Sequence, residues 1–421
     1  MAKHREKHTA SKKVVHLQEF QEEPQAKVEY EDPPAEEPSE EKQKAWQAPK
    51  AFYRVALVLL VMVLGLAIWV NRESLTPENL WNWIQLQVRG SGEGDGYPVS
   101  ITGSSVAEGN FLAQDGNAVV LSDTALTVLG PSGQELASIR HSFNQPLLKH
   151  AEEAYLLYNQ GGTGYMVVRG TETVLEGTAE TDILAGAVAS DGRFALATHG
   201  EDGASQLTVY LSSGREQFTY RFSRDYVTAL AFNGDGTRGL ACTVRSESGE
   251  LVSKVTVFDF NQADPLAEYE SRNNLLLGAG WGENGVLYAV GDTALLRAQA
   301  SNLSFSEYDY QGRRPTAYLL EGSRFYLSLS AYEHAGPSTL LAFRGLEEPL
   351  EMQAQDRILS LSASGGNIGA LVDGELVVFD ASTGQELARA QAGSDAKSVA
   401  LTSESAAYVL GVSEVRALSL Q

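Results

Sequence analysis

The 421-residue sequence holds a single cysteine, Cys242, and that scarcity closes several routes at once. No disulfide framework and no thiolate zinc site can form, and no cysteine near the N-terminus is there to carry a lipid. Histidine is sparse as well. Of the seven, His4, His8 and His16 sit in the first twenty residues, and His141, His150, His199 and His334 are scattered without a pair at metal-ligand spacing. Basic residues are outnumbered, 32 Lys and Arg against 54 Asp and Glu. Residues 1–50 hold nine of the basic and eleven of the acidic groups, leaving 23 and 43 to everything after them. A surplus of that sign repels phosphate backbones and excludes nucleic acid as a partner. Beyond residue 96 there is no amphipathic helical stretch of length and no G-x-S-x-G elbow. The glycine-rich runs 161–164 and 278–285 lack the strand-loop-helix setting of a phosphate cradle and read as turns.

What is present begins with a tail. Residues 1–50 open on Lys3, Arg5, Lys7, Lys12 and Lys13 and pass into an acidic run broken by Pro33, Pro34 and Pro38. Such a segment buries too little apolar surface to offset its ordering entropy, which predicts disorder. From Val55 to Val70 every residue is apolar or glycine, and across Arg54 the run reaches back to Ala51. About 20 residues of helix span ~30 Å, the thickness of a bilayer core. The expectation is one transmembrane helix over residues 51–71. Lys42, Lys44, Lys50 and Arg54 precede it, whereas only Arg72 and Arg89 follow closely, so the tail is expected in the cytoplasm and the rest outside the cell membrane. A cleaved signal peptide is the weaker reading, since no small-x-small site follows Val70. Thr76, Pro77 and Glu78 then start a juxtamembrane helix, and residues 75–96 comprise that helix and a glycine-rich linker.

From residue 97 to 421 the pattern changes to short alternating apolar segments with tight turns. Turn signals fall at Asp115-Gly116, Glu152-Glu153, Asp191-Gly192, Asp235-Gly236, Asn284-Gly285, Glu321-Gly322, Gly365-Gly366 and Ser403-Glu404. They recur at about forty residues, the length of one four-stranded propeller blade. Strong third strands are expected at 126–129, 165–168, 207–211, 255–260, 294–297, 339–343, 376–379 and 414–418. The prediction is an all-β domain, an eight-bladed β-propeller, with seven blades as the alternative. The last repeat stops after three strands while residues 99–102 are left over at the start, so pairing the two would close the ring and remove exposed edges.

The stretch VFDASTGQELARA from Val378 to Ala390 resembles the repeat of quinoprotein-type (PQQ-like) propellers, including the related outer-membrane assembly scaffold. Asp380, Thr383 and Gly384 match its Asp-x-x-Thr-Gly turn, but Ala388 stands where a docking tryptophan belongs. VLGPSGQELA at 128–137 and VYLSSGREQF at 209–218 are weaker copies. The resemblance implies the fold and argues against a bound quinone; no cofactor is expected. LTPENLWNWIQ at 75–85, GDGYPVSITGS at 94–104 and LSDTALTV at 121–128 resemble a bacterial family of membrane-anchored proteins of unknown function, the domain of unknown function 5711 type. That resemblance brings no activity with it.

Binding candidates come from loop lengths. The loops between second and third strands read as long at 159–164, 199–205, 245–254 and 330–338, all on one face of the disc, and variable loops on a rigid scaffold commonly carry recognition. His199, Glu201, Asp202, Glu247, Glu250, Tyr332, Glu333 and His334 are the candidate contacts. No catalytic or metal-binding residue is singled out, and Cys242, within an apolar strand, reads as a core thiol. The function expected is a non-catalytic binding or assembly scaffold engaging a protein or a cell-wall glycan. Two alternatives stay open: a carbohydrate-active enzyme using carboxylates in the channel, and a sensor signalling through the tail. Small apolar channel residues would favour the scaffold, and converging acids and aromatics the enzyme.

Overall fold

A computed structural model describes residues 96–420. The expected tail, transmembrane helix and juxtamembrane helix lie outside the described residues. Within these limits the chain forms eight four-stranded antiparallel sheets, each a meander, and the seven-blade alternative is overturned. Blade 1 covers 106–140, blade 2 146–178, blade 3 183–222, blade 4 226–272, blade 5 276–309, blade 6 314–354 and blade 7 358–391. Blade 8 takes three strands from 398–419 and its outermost from Val99–Ser100, which pairs as Val99 with Val415 and Ser100 with Glu414. The amide of Ile101 adds a bond to the Ser413 carbonyl at 3.0 Å. The ring therefore closes with the two chain ends in one sheet, as the leftover strand predicted.

All eight predicted first turns join first to second strands, and all eight predicted third strands are third strands. The reason is steric. In the Asp-Gly and Asn-Gly turns the glycine takes positive φ, at Gly116 (78°), Gly192 (87°), Gly236 (68°) and Gly285 (74°), and at Asp115 (50°) the preceding residue does so too, as a two-residue hairpin turn matched to strand twist requires. First strands line the axis and carry small or mixed residues, second and third strands are buried on both faces, and outer strands alternate toward solvent, as in Glu386–Gln391.

Apolar residues gather into eight clusters, one between each pair of adjacent blades. The cluster joining blades 8 and 1 includes Tyr408, Leu410 and Val415 on one side and Phe111, Val120 and Leu129 on the other. Aromatic pairs fill space between blades where no tryptophan stands. Tyr288 of blade 5 stacks on Phe325 of blade 6 at 4.6 Å, and Phe194 and Tyr210 of blade 3 stack at 4.7 Å beside Tyr165 of blade 2. Ala388, the site of the missing tryptophan, packs against the cluster between blades 7 and 8.

One expectation fails. Residues 245–254 are not a loop: Arg238–Glu247 and Glu250–Asp259 are ten-residue strands paired throughout, joined only by Ser248 (φ 52°) and Gly249 (φ 87°). The polar run Ser-Glu-Ser-Gly-Glu masks the alternation because this end of the hairpin stands clear of the core, so no apolar face marks it as strand. The other three long connections are present, at 160–163, 200–204 and 331–337.

Candidate functional site

Because each blade is a meander, the second-to-third connections share one face with the blade-to-blade connections, and the first hairpins occupy the opposite face. His199 ends the second strand of blade 3, Phe194–His199. Its amide donates to the Asp182 carbonyl at 3.0 Å and its carbonyl accepts from Thr181 Oγ1 at 2.6 Å, which seats the loop 200–204 against the blade 2 to blade 3 connection. Between them is a cavity of about 150 Å³ lined by Glu180, Thr181, His199, Glu201, Asp202 and Arg221, among others. The His199 ring meets Tyr226 edge-on at 5.9 Å, and Tyr226, about half exposed, begins the inner strand of blade 4. Three predicted residues thus share one concavity of mixed charge.

Glu247 and Glu250 lie on the projecting hairpin of the adjacent blade, and both are already engaged. Glu247 pairs with Arg245 at 3.2 Å and Arg272 at 3.5 Å, and Glu250 with Arg272 at 2.9 Å. At the root of the hairpin Asp225, 8% exposed, bridges Arg245 at 3.2 Å and Lys254 at 3.4 Å, while Glu270 and Glu268 complete the two cations. Burial alone would lower the Lys254 ammonium, but the Glu268 and Asp225 carboxylates outweigh it and hold the group above its ordinary range. The network stiffens a two-stranded arm that two strands alone would not hold.

Tyr332, Glu333 and His334 are on the same face but in blade 6, and the cavity does not include them. Arg357 donates to the carbonyls of Tyr332 and Glu333 at 3.3 and 2.8 Å, and the Gly336 amide donates to Asp356 at 2.9 Å. These bonds fix the loop to the blade 6 to blade 7 connection and leave Tyr332 55% exposed. Sequence reasoning missed Arg221, Tyr226 and Asp225. Their placement beside the loop comes from strand register, and nothing local in the sequence signals it.

At the opposite, hairpin end the central channel widens to a cavity of about 330 Å³. Ala151, Ala187, Ala189, Ala231, Ala279 and Gly280 form much of its wall, with Val188, Leu230, Leu320, Phe232 and Trp281, and with Lys149, His150 and Glu152 as its ionisable members. Small residues thus share the wall with two aromatics, and Glu152 is its one carboxylate. Nearby, Glu321 is held above the ordinary glutamate range by burial and by the Glu283 carboxylate. Among the described residues no three His, Cys, Asp or Glu side chains lie together as metal ligands. Cys242 is fully buried in the core between blades 4 and 5, its Sγ 3.7 Å from the Gly278 carbonyl, and burial pushes its thiol up.

The chain enters on the hairpin face. Gly96 sits against Ser132 and Gly133 in the blade 1 turn, the Tyr97 hydroxyl donates to the Gly130 carbonyl at 3.0 Å, and the Tyr408 hydroxyl donates to Gly116 at 2.7 Å. Gly96, the first described residue, therefore lies on the face opposite the loop cavity.

No curated protein matches the chain. Among solved structures it is similar to BamB from Moraxella catarrhalis, with a TM-score of 0.49 at 11% sequence identity, covering 76% of this chain and 96% of that one. The model of the Family of unknown function (DUF5711) matches residues 92–304, and the chain belongs to that family.

Proposed function

We propose that this protein is a membrane-anchored binding scaffold, held by the apolar segment 51–71 with its tail inside the cell, whose propeller outside receives a protein partner on the loop face. The observation that carries the reading is the mixed-charge cavity at His199, Glu201, Asp202 and Arg221, flanked by the stiffened arm of blade 4. A polar concavity on fixed loops beside exposed Tyr226 has the composition of a recognition surface, with an aromatic anchor inside a hydrogen-bonding rim. The apolar lining of the channel gives less support to carbohydrate chemistry there, which needs two carboxylates facing one bond. Support for the anchor is the sequence of 51–71 and the basic residues before it. Among the described residues no helix is long and apolar enough to cross a membrane.

One experiment addresses both address and surface. Cysteines introduced as Ser39→Cys and Asp202→Cys are probed in intact cells with a membrane-impermeant maleimide, the native Cys242 being buried and silent. The reading expects labelling at 202 and none at 39; the reverse pattern removes the proposed topology. A photo-crosslinking side chain at Glu201 should then capture a protein that one at Asp235, on the hairpin face, does not. Capture of glycan alone, or equal capture from both faces, overturns the protein-scaffold reading.

A further inference from the structure

We propose that the hairpin-face mouth of the central channel is a binding site for a small organic anion with an apolar or aromatic body, held by Lys149. This site lies on the other face from the proposed recognition surface and does not depend on it. Three features of the cavity carry the inference.

The first is an uncompensated cation. Lys149 and His150, consecutive residues of the inner strand Pro146–Ala151, both line the cavity and both remain accessible to solvent within it. Among the described residues neither side chain has an ion-pair or hydrogen-bond partner. The one carboxylate that lines the cavity with them, Glu152, is not ion-paired with Lys149, so the ammonium is open to a ligand. Both side chains are exposed to solvent in the concavity, and the protein packed around them pushes the Lys149 ammonium and the His150 ring below their ordinary ranges. An ammonium that lines a cavity with a partly apolar wall and has no carboxylate partner is placed to pair with the head of an anion whose body lies along that wall.

The second feature is the wall. Phe232 and Trp281 sit on the inner strands of blades 4 and 5, with Leu230 and Leu320 beside them and a floor of alanines. Gly280 lets Leu320 lie close against this wall, since a Cβ there would meet Leu320 Cδ2 at 2.8 Å. The third is size. About 330 Å³ lies at the lower end of small-ligand pockets and suits a body of roughly ten to fifteen heavy atoms. His150 and the rim residues Ser190 and Asn233 supply further polar groups at the mouth. Glu152, also at the rim, disfavours a second negative charge on the ligand there, so a single anionic head is the best match.

The test uses the purified full-length protein and three probes of one shape: 3-phenylpropionate, phenyl phosphate and the neutral 3-phenyl-1-propanol, with binding followed by ligand-observed NMR. The expectation is that at least one anion binds about tenfold or more tighter than the alcohol, and the stronger of the two names the headgroup. Lys149→Met should erase that preference while leaving alcohol binding in place, and Trp281→Ala should weaken all three probes. Continued protection of the Cys242 thiol shows that each variant is folded. Equal binding of the three probes, an anion preference that survives Lys149→Met, or no anion binding up to about 10 mM overturns the proposal. The wild-type comparison decides even if the lysine variant fails to fold.

Discussion

Asp225 shows how one side chain serves both fold and surface. It receives Arg245 and Lys254, whose side chains are only 15% and 14% exposed, at the root of the blade 4 arm. Removing one partner from an ion cluster leaves the other charges without compensation, which costs far more than the intact pair contributes. Asp225→Ala should therefore destabilise the domain by about 2 kcal/mol, toward the lower end because Glu268 and Glu270 still hold the two cations. Urea unfolding measures it. A change below about 0.5 kcal/mol, the level of exposed pairs, would show that the cluster is surface decoration.

At the scale of turns, the sequence was most legible where backbone sterics leave few choices. Asp-Gly and Asn-Gly marked hairpins because the glycine of each supplies the left-handed residue the turn needs, and every turn so marked is where it was expected. The blade 4 arm was misread for the complementary reason, since its distal residues face solvent on both sides and leave no apolar alternation to follow. Of the site, His199, Glu201 and Asp202 were reached through loop length, but their neighbours Arg221 and Tyr226 come from other segments and only the pairing register brings them near. Two glycines separate the roles that sequence cannot. Gly249 has positive φ and open space around a would-be Cβ, so Gly249→Ala should cost about 1 kcal/mol from backbone conformation alone. Gly133 also has positive φ, but a Cβ would meet the Gly96 carbonyl oxygen at 2.7 Å and Val99 Cγ2 at 3.0 Å. Gly133→Ala should be clearly the worse of the pair in thermal denaturation, because it pushes the first residues of the domain away from blade 1. Equal losses would mean that the approach of Gly96 matters little.

Over the whole molecule, eight interblade cores depend on one another in a ring, and the core between blades 8 and 1 exists only when the chain ends meet. Deleting residues 412–421 removes the third strand of blade 8 and with it the partner of Val99–Ser100. It should abolish the single cooperative transition and leave a broad, multistep melt, since an opened ring becomes a linear array whose repeats answer mainly to their neighbours. Retention of a sharp transition near the parent midpoint would show that closure adds little.

The ring is fastened by a strand of two residues, and that strand is the first thing met when passing from residue 96 into the domain. If the preceding segment is tethered, any pull on the domain arrives at this clasp before it reaches another blade. The shortest seam in the molecule would then also be its mechanical fuse, yielding by two residue pairs, the Ile101 amide bond and the Tyr97 hydroxyl bond while the other seven sheets stay whole.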